Sequence, residues 1–122
     1  LIAGYTSGTV ILWDVIKGSV LKMVTDAHPS PITICRFLKD LKVVTVDAGG
    51  LVNKLNFAKN ILWSAYSMET ECLLDGTAGQ ILAMNVLHQP ARKIASNKTP
   101  FLERLVMIAL SSERSSFAVA VE

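Results

Sequence analysis

The sequence predicts an all-β fold of repeated antiparallel units, and three observations carry that expectation. Residues 7–14 read Ser-Gly-Thr-Val-Ile-Leu-Trp-Asp, a tight turn entering an apolar strand that closes on a Trp-Asp pair, the common punctuation of a propeller blade. Two glycine turns, at Gly8 and Gly50, stand 50 − 8 = 42 positions apart, against about 40 to 45 residues per blade. Short β-rich runs alternate with Gly, Pro and Ser breaks, as in a meander. The fold class expected is therefore a partial WD-repeat β-propeller of two to three antiparallel blades.

Residues 1–5, 9–15 and 20–25 are β-rich runs separated by Thr6-Ser7-Gly8 and Ile16-Lys17-Gly18, and they read as the last three strands of a blade spanning 1–28. Pro29 and Pro31 break the chain, and strands follow at 32–37, 42–47 and 51–57. Ala48-Gly49-Gly50 joins the last two as a turn that small residues take easily. The outer strand of this second blade, 29–75, is expected within 60–74, with the acidic pair Glu69 and Glu71 as a candidate interruption. Gly76-Thr77-Ala78-Gly79 is assigned as the link to a third blade, 76–122, because Ile32 and Ile81 then open successive blades 81 − 32 = 49 apart. That blade opens with 80–87, carries a loop insertion at 88–100, and continues with strands at 105–110 and 116–121. The apolar pattern of 101–110 also fits one face of a short helix. The hairpin-like Ser111-Ser112-Glu113-Arg114-Ser115 favours the strand.

With 122 residues, 51% hydrophobic and 18% charged, the chain has apolar material for a packed core. A whole propeller carries roughly 4 to 8 blades, so the chain is expected to be a fragment whose Leu1 already lies within a strand. Cut inside blades, it would leave sheet edges and inter-blade faces uncovered, which favours aggregation or association with the missing blades and poor solubility alone. A net charge of +2 is too small to mark a nucleic-acid or anionic-membrane surface by itself. Cys35 and Cys72 form no Cys-x-x-Cys motif and no secretory leader is visible, so reduced, buried thiols in a cytosolic protein are expected. The longest apolar run, 105–110, is far below the roughly 18 to 20 residues that cross a bilayer.

Candidate functional residues are weighed against structural roles. Trp13 and Asp14 close a strand, where the indole packs between sheets and its N–H can join a chain of hydroxyl, carboxylate and histidine; the scaffold role outweighs partner contact. Leu55-Asn56 occupies the matching positions one repeat later, which makes the repeat degenerate. Asp26 and His28 lie at a blade junction, and His28 reads as a turn-stabilising histidine, since neither it nor His88 sits in a spaced ligand motif. Asp47 and Asp75 adjoin glycine turns and read as acceptors for backbone N–H groups. The Gly-rich pieces lack the Gly-Lys-Ser/Thr ending of a phosphate loop. Structural motif residues are thus Gly8, Trp13, Asp14, Asp26, His28, Asp47 and Gly50; no catalytic, cofactor or metal site is expected. Arg92, Lys93 and Lys98 form a basic loop that is a candidate contact for an acidic partner or lipid headgroups.

The run 4–14, Gly18, the string Thr25-Asp26-Ala27-His28-Pro29 and Asp47-Ala48-Gly49-Gly50 together resemble the amino-terminal WD-repeat propeller of the vacuolar protein sorting-associated protein 8 homologues. The resemblance is clear over residues 1 to 57 and faint through Glu71-Cys72-Leu73-Leu74 and Val86-Leu87-His88. It implies a non-enzymatic interaction scaffold in a CORVET tethering-complex subunit. Such a subunit cooperates with an early-endosomal Rab GTPase and the other tethering subunits, and is cytoplasmic and peripheral on endosomal (late endosomal or vacuolar) membranes through its partners. It implies no cofactor and no nucleic acid. The alternatives are a HOPS-type tether, related to vacuolar protein sorting-associated protein 41, or a generic WD-repeat adaptor in a ubiquitin-ligase or RNA-processing assembly. An enzyme on a propeller has only isolated His and Asp residues in its favour.

Overall fold

The computed structural model describes residues 1–89, 104–111 and 116–121. It is built of strands only: β1 (Ile2–Gly4), β2 (Val10–Asp14), β3 (Ser19–Val24), β4 (Ile32–Phe37), β5 (Lys42–Asp47), β6 (Leu51–Lys59), β7 (Tyr66–Asp75), β8 (Ile81–Gln89), β9 (Arg104–Ser111) and β10 (Ser116–Val121). They form three antiparallel meanders in the orders β1-β2-β3, β4-β5-β6-β7 and β10-β9-β8. The all-β, antiparallel expectation is met, and the helix weighed for 101–110 gives way to β9.

The central sheet shows why these residues fold as blades. Alternate residues of β5 point to opposite faces. Val44 and Val46 join Val52, Ile81 and Met84 in a core shared with the third sheet, while Val43 joins Leu55, Phe57, Val10, Leu12 and Val24 in a core shared with the first. The strand is therefore apolar on both sides, as a sheet stacked between two others must be. Residues fully removed from water include Val10, Val43, Val44, Val46, Val52 and Leu55.

Three bulges in the first two sheets adjust which face a side chain meets, and a fourth lies in the β8–β9 pair between Ile81 and Ala83. In β4 the register shifts between Ile32 and Ile34, so Ile32 packs toward the first sheet and Ile34 toward the third. The β2–β3 pair shifts between Leu12 and Trp13, and Leu21 reaches the first core. The β6–β7 pair shifts between Val52 and Asn53, and Leu73 and Leu74 both reach the second core.

Three expectations need correction. The outer strand β7 runs unbroken through Glu69 and Glu71, because Glu71 stands opposite Lys54 in register and the two side chains form an ion pair. Cys72 is exposed rather than buried: it lies on the outermost strand, and radiating sheets diverge outward, leaving that strand less covered. Cys35 is half-buried, and its burial raises the thiol pKa. In the third sheet β8 continues through His88 and Gln89, two residues into the segment expected as a loop; the remainder of 88–100 lies outside the described residues.

Candidate functional site

The link between the first and second sheets buries His28 against Thr45 and Asp47, on the face of β5 that Val43 shares and that is turned to the first sheet. His28 and Ala27 are buried; His28 N–H donates to the Gly8 carbonyl at 3.2 Å, and Asn53 Nδ2 donates to the Ala27 carbonyl at 3.1 Å. The link is thereby fastened to a turn of one blade and a strand of the next.

From there a polar chain crosses the blade. His28 Nδ1 lies 3.2 Å from Asp47 Oδ2 and Nε2 lies 2.7 Å from Thr45 Oγ1, with the His28 and Asp47 side chains 0% and 1% exposed. Because a carboxylate only accepts, Nδ1 carries the proton and donates to Asp47, and neutral Nε2 accepts from the Thr45 hydroxyl. The other carboxylate oxygen accepts from Gly49 N–H at 2.9 Å and Leu51 N–H at 3.0 Å. Asp47 therefore holds its own turn and the neighbouring link at once. Removal from water lowers the His28 pKa, outweighing the attraction of Asp47, which acts in the opposite direction.

The 42-residue offset explains what the first blade lacks. Thr45 corresponds to Ala3, Asp47 to Tyr5 and Leu55 to Trp13, and the registers agree, since Ala3 pairs with Ile11 and Thr45 with Asn53. One blade keeps the tryptophan without the hydroxyl and carboxylate. The other keeps the hydroxyl, carboxylate and histidine, with fully buried Leu55 at the tryptophan position. At the next junction the same split continues: a Cβ on Gly8 would strike the His28 carbonyl and one on Gly50 the Gly79 carbonyl, so Gly79 stands where His28 stood. Thr45 is the member of the chain that sequence reading missed, and its register with Asp47 and Gly50 was the available signal.

The remaining candidates are placed as follows. Trp13 is half-buried. Asp14 Oδ1 accepts from Ile16 and Lys17 N–H at 3.0 and 3.1 Å, and the Lys17 bond is the main cause of its lowered pKa. Asp26 is exposed beside the buried His28. Asp75 accepts from the Thr77 hydroxyl at 2.6 Å and Thr77 N–H at 3.0 Å, and the hydroxyl bond chiefly lowers its pKa. Arg92, Lys93 and Lys98 lie outside the described residues.

With both imidazole nitrogens engaged and shielded from solvent, the His28 chain is suited to fastening blades rather than to proton transfer with a substrate. Among the described residues no three His, Cys, Asp or Glu side chains gather as a metal site would require, and no helix is long and apolar enough to cross a membrane.

Comparison with known proteins agrees with this architecture. A family model described as the Vps8 beta-propeller matches residues 1–122. The chain is 31% identical over 91 residues to the vacuolar protein sorting-associated protein 8 homologues of Mus musculus and of Homo sapiens, which covers 72% of this chain and 6% of each relative.

Proposed function

Because the chain belongs to the Vps8 β-propeller family, we propose that it forms part of a non-enzymatic interaction scaffold for vesicle tethering and vacuolar protein sorting. In this reading the parent protein is a CORVET subunit that works with the other tethering subunits and an early-endosomal Rab GTPase, and it sits on the cytoplasmic face of endosomal membranes. The match of the family model over the whole chain is the observation that carries it. The buried polar chain supports it, since His28, Asp47 and Thr45 are all engaged in holding blades together.

The test is affinity purification of the tagged full-length protein at native level, followed by mass spectrometry. Recovery of shared tethering subunits with an early-endosomal Rab is expected. Recovery of a HOPS-type tether, a ubiquitin ligase or an RNA-processing assembly in their place would overturn the assignment.

A further inference from the structure

The two ends of the sheets differ in chemistry. At one end lie the turns 5–9, 47–51 and the links 25–31 and 75–80; backbone contacts join them, Ile32 N–H donating to Tyr5 O and Ala48 N–H to Pro31 O at 3.1 and 2.9 Å. These segments carry Asp26, Asp47 and Asp75 and no lysine or arginine. At the other end lie the β2–β3, β4–β5 and β6–β7 turns. Lys17, Lys39, Lys42 and Lys59 stand there against Asp14 and Asp40.

That cationic end also presents the largest exposed apolar side chains of the described residues. In the β6–β7 hairpin Ile61, Leu62 and Trp63 are 89, 88 and 79% exposed, and in the β2–β3 hairpin Val15 and Ile16 are 68 and 94% exposed. Neither tip is a frayed end. Asp14 caps the first hairpin. In the second, Asn60 Oδ1 accepts from Leu62 N–H at 3.0 Å, Asn60 N–H donates to Ala65 O at 2.7 Å, and Ser64 takes a φ of 49°. Strand β6 also runs three residues past the position matching the end of β2, which carries this tip about 10 Å farther out at roughly 3.3 Å per residue.

We propose that this end of the propeller docks directly on an anionic lipid bilayer, the Ile61-Leu62-Trp63 tip entering the headgroup boundary with Val15 and Ile16 beside it. Tryptophan favours the bilayer interface, and Lys17 and Lys59 flank the tips where an ammonium can meet lipid phosphate or carboxylate. The contrast with the lysine-free opposite end fixes which end faces the membrane. The inference stands on these tips and does not depend on which assembly the parent protein joins.

Flotation of the full-length protein tests it, with vesicles of mixed phosphatidylserine and phosphatidylcholine and of phosphatidylcholine alone. Binding to the mixed vesicles is expected. The triple variant Ile61→Ser, Leu62→Ser, Trp63→Ser should weaken it about tenfold or more, while Ile61→Leu with Trp63→Phe should retain it. Lys17→Glu with Lys59→Glu should weaken it about tenfold on the mixed vesicles. No flotation of the wild-type protein, or equal flotation of the triple variant, would overturn the proposal. So would a triple variant that floats normally yet loses a protein partner, because the tip would then be a protein-docking surface.

Discussion

Protonating His28 would add a charge to a site already closed to water. The proton would also reverse one bond: Nε2–H would donate to Thr45 Oγ1 across the same 2.7 Å, and the Thr45 hydroxyl would donate to the Asn53 carbonyl at 3.4 Å. Burial is accordingly the main cause of the lowered pKa, against the pull of Asp47. A histidine whose folded pKa lies below its ordinary 6.5 binds fewer protons folded than unfolded at mildly acid pH, so stability is complete above 6.5 and is lost as pH falls through the folded pKa. Hydrogen exchange of the full-length protein, corrected for intrinsic rates, should show residues 45–53 opening more readily as pH drops below 6.5. Constant protection across that range would contradict this. Asp47→Ala removes three acceptor contacts at once and leaves the buried His28 Nδ1–H and the less buried Gly49 and Leu51 amides without their partner, at a cost of about 2 to 4 kcal/mol. The Gly49 and Leu51 amides should then exchange at least about 30-fold faster, converting that cost at about 1.4 kcal/mol per decade; unchanged rates would show that the turn is held by something else.

Glycine turns illustrate how an element reads its surroundings. Gly18 and Gly50 both have positive φ, 64° and 87°, but a Cβ on Gly18 would meet open space whereas one on Gly50 would meet the backbone of Gly79. Gly18→Ala should therefore cost only about 1 kcal/mol of backbone strain. Gly50→Ala should cost more and loosen the 76–80 link, read as faster exchange there. Equal effects of the two substitutions would mean that the close approach of the blades is not what requires Gly50. The same turns made most of the fold legible: Gly8, Gly50 and the proline pair fixed strand positions to within a residue or two and revealed the repeat. The bulges at Leu21, Thr33 and Leu73 were hidden, since one extra residue redirects a side chain without altering the hydrophobic composition around it. Of the polar chain, His28 and Asp47 stood out because each adjoins a turn. Thr45 did not, because a threonine inside a Val-rich strand is ordinary β-sequence until its register with His28 is known.

At the scale of the molecule, each sheet depends on the next for its core. The central sheet packs against a neighbour on both faces, whereas among the described residues the first sheet shares a core cluster on one face. The residues of β2 and β3 on the side away from the central sheet include half-buried Trp13 with Val20 and Met23, 45 and 51% exposed. Among the described residues β1 pairs with β2 alone, which makes that short strand the edge of its sheet. An apolar face beside an unpaired edge is a template for association. Expressed by itself, the 122-residue chain should form concentration-dependent oligomers in light scattering coupled to gel filtration, and charged substitutions at Val20 and Met23 should reduce them. Those two positions discriminate between the blade face and the hairpin tips as the sticky surface: if Ile61→Ser and Trp63→Ser disperse the oligomers while Val20 and Met23 variants do not, association runs through the tips. A monomer at all concentrations with a single cooperative melt would instead mean that the first sheet is stable with its outer face in water.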